Sequence, residues 1–169
     1  FDKHVGGDTD LAYFLAEAVQ EGDRSPSNRA VRANGLCSTY IEEPSDTNLE
    51  RLQLGHVVPW AKVYSRRFVE ECELTFDETR VSNDVGFNVL ASVQASSIAV
   101  VPEKVYRIFR RAGSLTADEG LSSMLERIRV LSHLNRRLAA LGIPGRMHAG
   151  GYLYRGLRKG PRAFTVVVR

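Results

Sequence analysis

Few side chains in this 169-residue sequence stand where type and spacing suggest chemistry. The histidines, His4, His56, His133 and His148, are far apart, and the cysteines are Cys37 and Cys72. No CxxC, HxxxH or HExxH spacing occurs, so no structural zinc site is expected. Glu70, Glu71, Glu73, Asp77 and Glu78 crowd one stretch. They alternate with Cys72, Leu74 and Phe76, which puts them on two faces of a predicted strand and makes a solvated edge, not a metal cluster. No Gly-x-Ser-x-Gly elbow surrounds Ser92, Ser96 or Ser97, so no serine nucleophile is indicated. Gly6-Gly7 has neither a preceding strand nor a following Lys-Ser/Thr and reads as a flexible lead-in over residues 1–8. The expectation is no metal and no cofactor.

His56 is the single catalytic candidate. It stands in Leu54-Gly55-His56-Val57-Val58-Pro59-Trp60-Ala61. A histidine followed by two aliphatics and a proline resembles the first catalytic strand of the HNH endonucleases. The resemblance covers about six residues and implies a metal-dependent nuclease with His56 as general base. An asparagine from a second element is implied as well, and Asn83 or Asn88 would have to fill that role. The family's further histidine has no counterpart before His133. Read from the residues alone, the stretch is a strand that ends at Pro59, with Trp60 as a core anchor.

Charge is the stronger signal. From Arg127 to Arg169 there are ten Lys/Arg and no Asp/Glu, a local charge of +10. The chain holds 23 basic and 20 acidic side chains in all, so the first 126 residues carry −7. Such segregation points to an anionic partner or to acidic-to-basic association between copies. Aromatics interleaved with cations suit nucleic acid, because bases stack on rings while phosphates meet the cations. The candidate contacts are Arg107, Arg110, Arg111, Arg129, Arg136, Arg137, Tyr152, Tyr154, Arg155, Arg158, Lys159 and Arg162. Tyr106 stands among the first three. An anionic membrane surface or an acidic protein fits the same mixture.

The elements that must position these residues follow from periodicity. Leu11, Phe14, Leu15, Ala18 and Val19 predict a first helix ending at Gly22. Residues 23–35 read as a mobile loop and Leu36–Ile41 as a short strand. Residues 44–48 form a turn or helix start leading into Leu49–Leu52. Strands are expected over 66–81 and 85–101, the second with Phe87, Val89, Ala91, Val93 and Ala95 on one face. Pro102 opens a helix with Val105, Ile108 and Phe109 on its apolar side. Thr116 and Glu119 make a capping box for a long helix whose stripe runs from Leu121 to Leu141. Within it, Arg127 is expected to snorkel and Asn135 to sit at the edge of the apolar arc, or both to point into a groove or a subunit contact. Tyr152–Leu157 and Ala163–Val168, around the Gly160-Pro161 turn, predict a closing hairpin with Tyr152 and Tyr154 on one face.

The expectation is therefore an α+β fold in one domain over 1–169: an antiparallel sheet packed by three to four amphipathic helices, with a basic helix–hairpin segment at 114–169. No apolar run approaches the roughly 20 residues that span a bilayer, and no signal-peptide pattern opens the chain. Two reduced cysteines and a reducing intracellular compartment are favoured. The leading reading is a non-enzymatic, self-associating structural protein that binds RNA or DNA. The alternatives are the HNH-like nuclease and a protein–protein interaction module.

Overall fold

The computed structural model describes residues 5–111, 120–144 and 146–158. The fold is α+β, with a three-stranded mixed sheet and several helices. The chain forms two compact units. One comprises Phe1–Thr75 and Phe87–Ala112, the other Phe76–Gly86 and Gly113–Arg169.

The first unit is built on one strand, β1 (Leu11–Gln20), where a helix is expected. Leu-Ala-Tyr-Phe-Leu-Ala-Glu-Ala-Val satisfies a helical stripe only because it is apolar almost throughout. A near-continuous apolar run of this length is equally the mark of a central strand buried on both faces. The faces are distinct. Leu11 and Tyr13 pack with Cys37 and Leu52, whereas Ala12, Phe14, Ala16 and Ala18 pack with Ala30, Ala61 and Val101.

The sheet order is β2-β1-β3. The short β2 (Lys62–Tyr64) runs antiparallel to β1, with Leu11 opposite Tyr64. The long β3 (Ile98–Arg110) runs parallel to it, from Leu11 opposite Ile98 to Gln20 opposite Arg110. The expected all-antiparallel sheet is thus mixed. Residues 102–110 continue β3 and are not helical. Proline after Val-Val has two readings, helix start or interrupted edge strand. Here the register shifts on both sides of Leu15, opposite the stretch after Pro102, absorb it.

Helices occupy most of the remaining positions. The expected loop and strand over 23–41 are a turn, a 3-10 segment at Asn28–Ala30 and α1 (Val31–Glu42). Ser45 caps α2 (Asp46–Gly55), in keeping with the expected helix start. Ser65 caps α3 (Arg66–Glu71), which replaces the first part of the strand expected over 66–81. The strand expected from 85 is α4 (Val85–Gln94), buried without a break from residue 86 to residue 92. Its polar Asn88 and Ser92, read as the wet face of a strand, are buried here and hydrogen-bonded inside the fold.

Asn34 joins α1 to the sheet. Its amide oxygen accepts from Ala16 N at 3.0 Å and its Nδ2 donates to Ala16 O at 2.8 Å. β2 has already ended at Tyr13's position in the register. One side chain therefore supplies both backbone partners that an absent strand would have given.

The second unit is organised by α5 (Leu121–Ala140), the helix the apolar stripe predicts. Met124, Leu131, Leu134 and Leu138 are buried on it. Its predicted capping box lies outside the described residues. Asn135 Nδ2 donates to Met147 O at 3.0 Å and its Oδ1 accepts from Met147 N at 2.7 Å. The asparagine inside the apolar arc is thus a clamp on the chain leading to α6 (Gly150–Arg158). That helix replaces the first strand of the expected hairpin. The second strand lies outside the described residues.

Candidate functional site

Two sets of residues from the sequence reading are brought to distinct places. The first surrounds His56 in the first unit. His56 is the C-terminal cap residue of α2 and not part of a strand. It is 1% exposed. Its ring meets Tyr13 and Trp60 edge-on, with centroids 5.2 and 5.8 Å apart. Among the described residues neither Nδ1 nor Nε2 has a well-formed hydrogen bond. Burial, and after it the nearby Lys62 ammonium, lowers the pKa from 6.5 to about 3. Backbone groups of His56 and Val58 act weakly the other way. The ring is a neutral imidazole at any ordinary pH.

Around it lies a polar cluster built from three elements. Lys62, on β2, donates to His56 O at 2.6 Å and to Asn88 Oδ1 at 2.9 Å. Tyr64 donates to the same Asn88 oxygen at 2.7 Å. The Lys62 ammonium also sits 4.9 Å above the centre of the Tyr13 ring. Tyr13 and Ser92 share a hydroxyl–hydroxyl hydrogen bond, and Ser92 donates to Asn88 O at 2.6 Å. Asn88 and Ser92 are one turn apart on α4, so one helix face presents both. His56 and Asn88, one of the two asparagines the nuclease resemblance leaves open, lie in the same cluster. They meet through Lys62 and the His56 carbonyl, not through the imidazole.

Burial favours the neutral forms of His56, Tyr13 and Cys37. Burial raises the Tyr13 phenol far above its usual range. It pushes the Cys37 thiol up to about 11, against the lowering influence of Lys62. A thiol so raised is not a thiolate at neutral pH and makes a poor nucleophile. A general base must reach the proton it removes, directly or through one water, and the His56 ring is sealed from solvent. Among the described residues no three His, Cys, Asp or Glu side chains converge in a way that could hold a metal. The arrangement is a polar cluster, buried at Tyr13, His56, Asn88 and Ser92 and half-buried at Lys62 and Tyr64. Lys62, Tyr64, Tyr13 and Ser92 were not picked out by sequence reasoning. The one available signal was a lysine between apolar residues in Ala61-Lys62-Val63-Tyr64.

The second set is the basic surface. In the second unit Arg129, His133 and Arg136 are exposed. Their i, i+4, i+7 spacing places them on one face of α5, over about 10 Å of helix. They border an open groove of about 560 Å3 whose other side is residues 77–79. Two acids there are engaged within the unit. Glu126 accepts from the Arg80 amide at 3.0 Å, and Asp77 lies 3.9 Å from the half-buried Arg137. Tyr154 and Arg155 are exposed on α6, and Tyr152 is half-buried. Two residues apart on a helix is about 200°, so the two tyrosines do not share a face as a strand would have made them. The Arg158 side chain, Lys159 and Arg162 lie outside the described residues.

In the first unit Arg107 and Arg110 belong to β3, with Arg111 just beyond it. Arg107 pairs with Glu17 at 2.6 Å and Arg111 with Glu21 at 2.8 Å, both at the surface. These pairs exist only because β1 and β3 are parallel neighbours. Compared with protein-family models, with curated proteins and with solved structures, the chain matches none.

Proposed function

We propose that the protein is a non-enzymatic binder of a polyanion, RNA or DNA, and that α5 carries the principal contact. The observation behind this reading is the exposed Arg129–His133–Arg136 row on a helix that has no acidic residue after Glu126. Arg129 and Arg136, seven residues apart on a rigid helix, meet phosphates without the entropy loss of ordering a loop. Arg155 and Tyr154 on α6 add a cation and an exposed ring in the same unit. The buried His56 cluster contributes to the fold and not to chemistry.

A salt titration of binding to labelled single-stranded RNA and to duplex DNA tests the proposal. Phosphate contacts make log K fall linearly with log salt, with a slope of about −0.7 per contact on a single strand. Three contacts give a slope near −2. The double variant Arg129→Glu, Arg136→Glu flattens that slope and weakens binding to every sequence alike. Affinity that stays flat from low to moderate salt in the wild type removes phosphate contact as the driving term. Cleavage of the probe that is lost in His56→Ala moves the reading to the nuclease.

A further inference from the structure

We infer that the C-terminal half of β3, in the first unit, is a contact for unpaired bases, with Tyr106 as the stacking ring and Arg110 as the phosphate-holding cation. This rests on the polyanion reading above and narrows its substrate to single-stranded nucleic acid.

The two faces of this half-strand differ. On one, the surface is closed by the protein's own pairs. Arg107 holds Glu17, Arg111 holds Glu21, and the Arg24 guanidinium lies 4.8 Å over the Phe109 ring. On the other, past the last register shift, stand Tyr106, Ile108 and Arg110, opposite Ala16, Ala18 and Gln20 of β1. Ala16 and Ala18 are buried in the core with Ala30, and Tyr106, at the margin of that packing, keeps 49% of its surface exposed. Among the described residues no carboxylate pairs with Arg110 and no hydrogen bond engages the Tyr106 hydroxyl. Ile108, between them, is half-buried against the alanine core. A ring and a cation about 13 Å apart on a rigid strand offer both halves of what a single strand presents, a base face and a phosphate.

Other macromolecules suit this surface less well. An extended peptide adds to a sheet edge through a regular backbone ladder. β3 is blunted against that by Pro102, which has no N–H, by two register shifts, and by its basic side chains. A duplex keeps its bases stacked inside and shows Tyr106 only a backbone.

The test uses the full chain with three probes of equal length: single-stranded RNA, the same strand with abasic sites, and a duplex. Tyr106 is a surface residue, so its variants keep the fold, which circular dichroism checks. Tyr106→Ala is expected to weaken binding to the single strand roughly 5- to 150-fold. Tyr106→Phe keeps the ring and stays within about twofold of wild type. On the abasic strand and the duplex, Tyr106→Ala changes nothing. Equal losses on the normal and abasic strands overturn the stacking contact, as does no loss on either. If Tyr106→Ala is silent while Arg129→Glu, Arg136→Glu abolishes binding, the β3 contact falls and the α5 reading stands. If the wild type binds none of the probes, both fall. Capture of an acidic peptide by the wild type and not by Tyr106→Ala, without nucleic-acid binding, reassigns the surface to protein recognition.

Discussion

Replacing His56 by leucine removes two buried nitrogens that make no well-formed hydrogen bond among the described residues and keeps a side chain of similar volume. At pH 7.5 the imidazole is neutral folded and unfolded, so the comparison there reads packing against desolvation alone. A buried polar group without a partner costs about 1–3 kcal/mol, and a volume-conserving apolar swap usually costs less than about 1.5 kcal/mol. Leucine is therefore expected to be at least as stable as histidine at this pH. Acid separates the two proteins further. The unfolded chain takes up a proton at His56 near pH 6.5, while the folded ring resists until about 3. In that window the unfolded state binds the extra proton, so wild-type stability falls as pH falls, by about 1.36 kcal/mol per unit. At pH 4.5, two units below the unfolded value, the wild type has lost about 2.7 kcal/mol that His56→Leu retains. Carboxylates titrate alike in both proteins and cancel in the difference. Urea unfolding followed at Trp60, the only tryptophan and 5.8 Å from the His56 ring, reads the right unit. A wild-type-minus-variant difference that stays constant within about 0.5 kcal/mol from pH 7.5 to 4.5 refutes the buried neutral imidazole.

Asn34→Ala leaves the Ala16 N–H and C=O without their partners. A loss of about 2–4 kcal/mol is expected from two broken hydrogen bonds at a largely buried peptide, measured by the same urea unfolding; a loss below about 0.5 kcal/mol shows that water replaces the amide freely. Maleimide is expected to label Cys72 within minutes in the native protein at pH 7.4 and to leave Cys37, buried and with its thiol pushed up to about 11, unmodified until urea is added. Peptide mass spectrometry reads both sites, and native labelling of Cys37 at the Cys72 rate contradicts its burial.

The α+β class and α5 were legible because they rest on robust signals. α5 has 20 residues with one apolar stripe and one polar face, and no other element imitates that pattern. Elements enclosed on all sides were not legible. β1 is apolar nearly throughout and fits period 2 and period 3.6 equally, while the polar residues of α4, Asn88, Ser92 and Gln94, all fall at even spacings that suit the wet face of a strand as well as one face of a helix. β3 misled through Pro102, whose lack of an N–H suits a helix start and an interrupted edge strand alike. The candidate site divides the same way. Charge is a property of residues, so the Arg129–Arg136 row could be seen in advance. Pairing is a property of topology, so Glu17 and Glu21 could not be assigned to Arg107 and Arg111 before β1 and β3 were known to be neighbours. For His56 the difficulty was depth: a short run of letters carries no information on whether a ring reaches water.

The pairing of β1 with β3 also has a kinetic side. Leu11 must find Ile98, 87 positions later, and the partner on its other edge, β2, spans only three residues. During synthesis at roughly 5–20 residues per second, β1 waits several seconds for the strand that covers most of its length. For that time it is a ten-residue, almost uncharged, β-prone segment with open edges, the type of sequence that stacks with its own copies. Asp8 and Asp10 precede it, and Glu21 and Asp23 follow. Acidic residues at both ends keep neighbouring nascent chains apart through their charge. On this view the four carboxylates protect the route to the fold, while Asp10, which accepts from the Ser96 and Ser97 amides at 2.8 and 3.1 Å, and Glu21, which pairs with Arg111, hold the finished fold as well; neutralising all four lowers the yield of folded protein and its stability together.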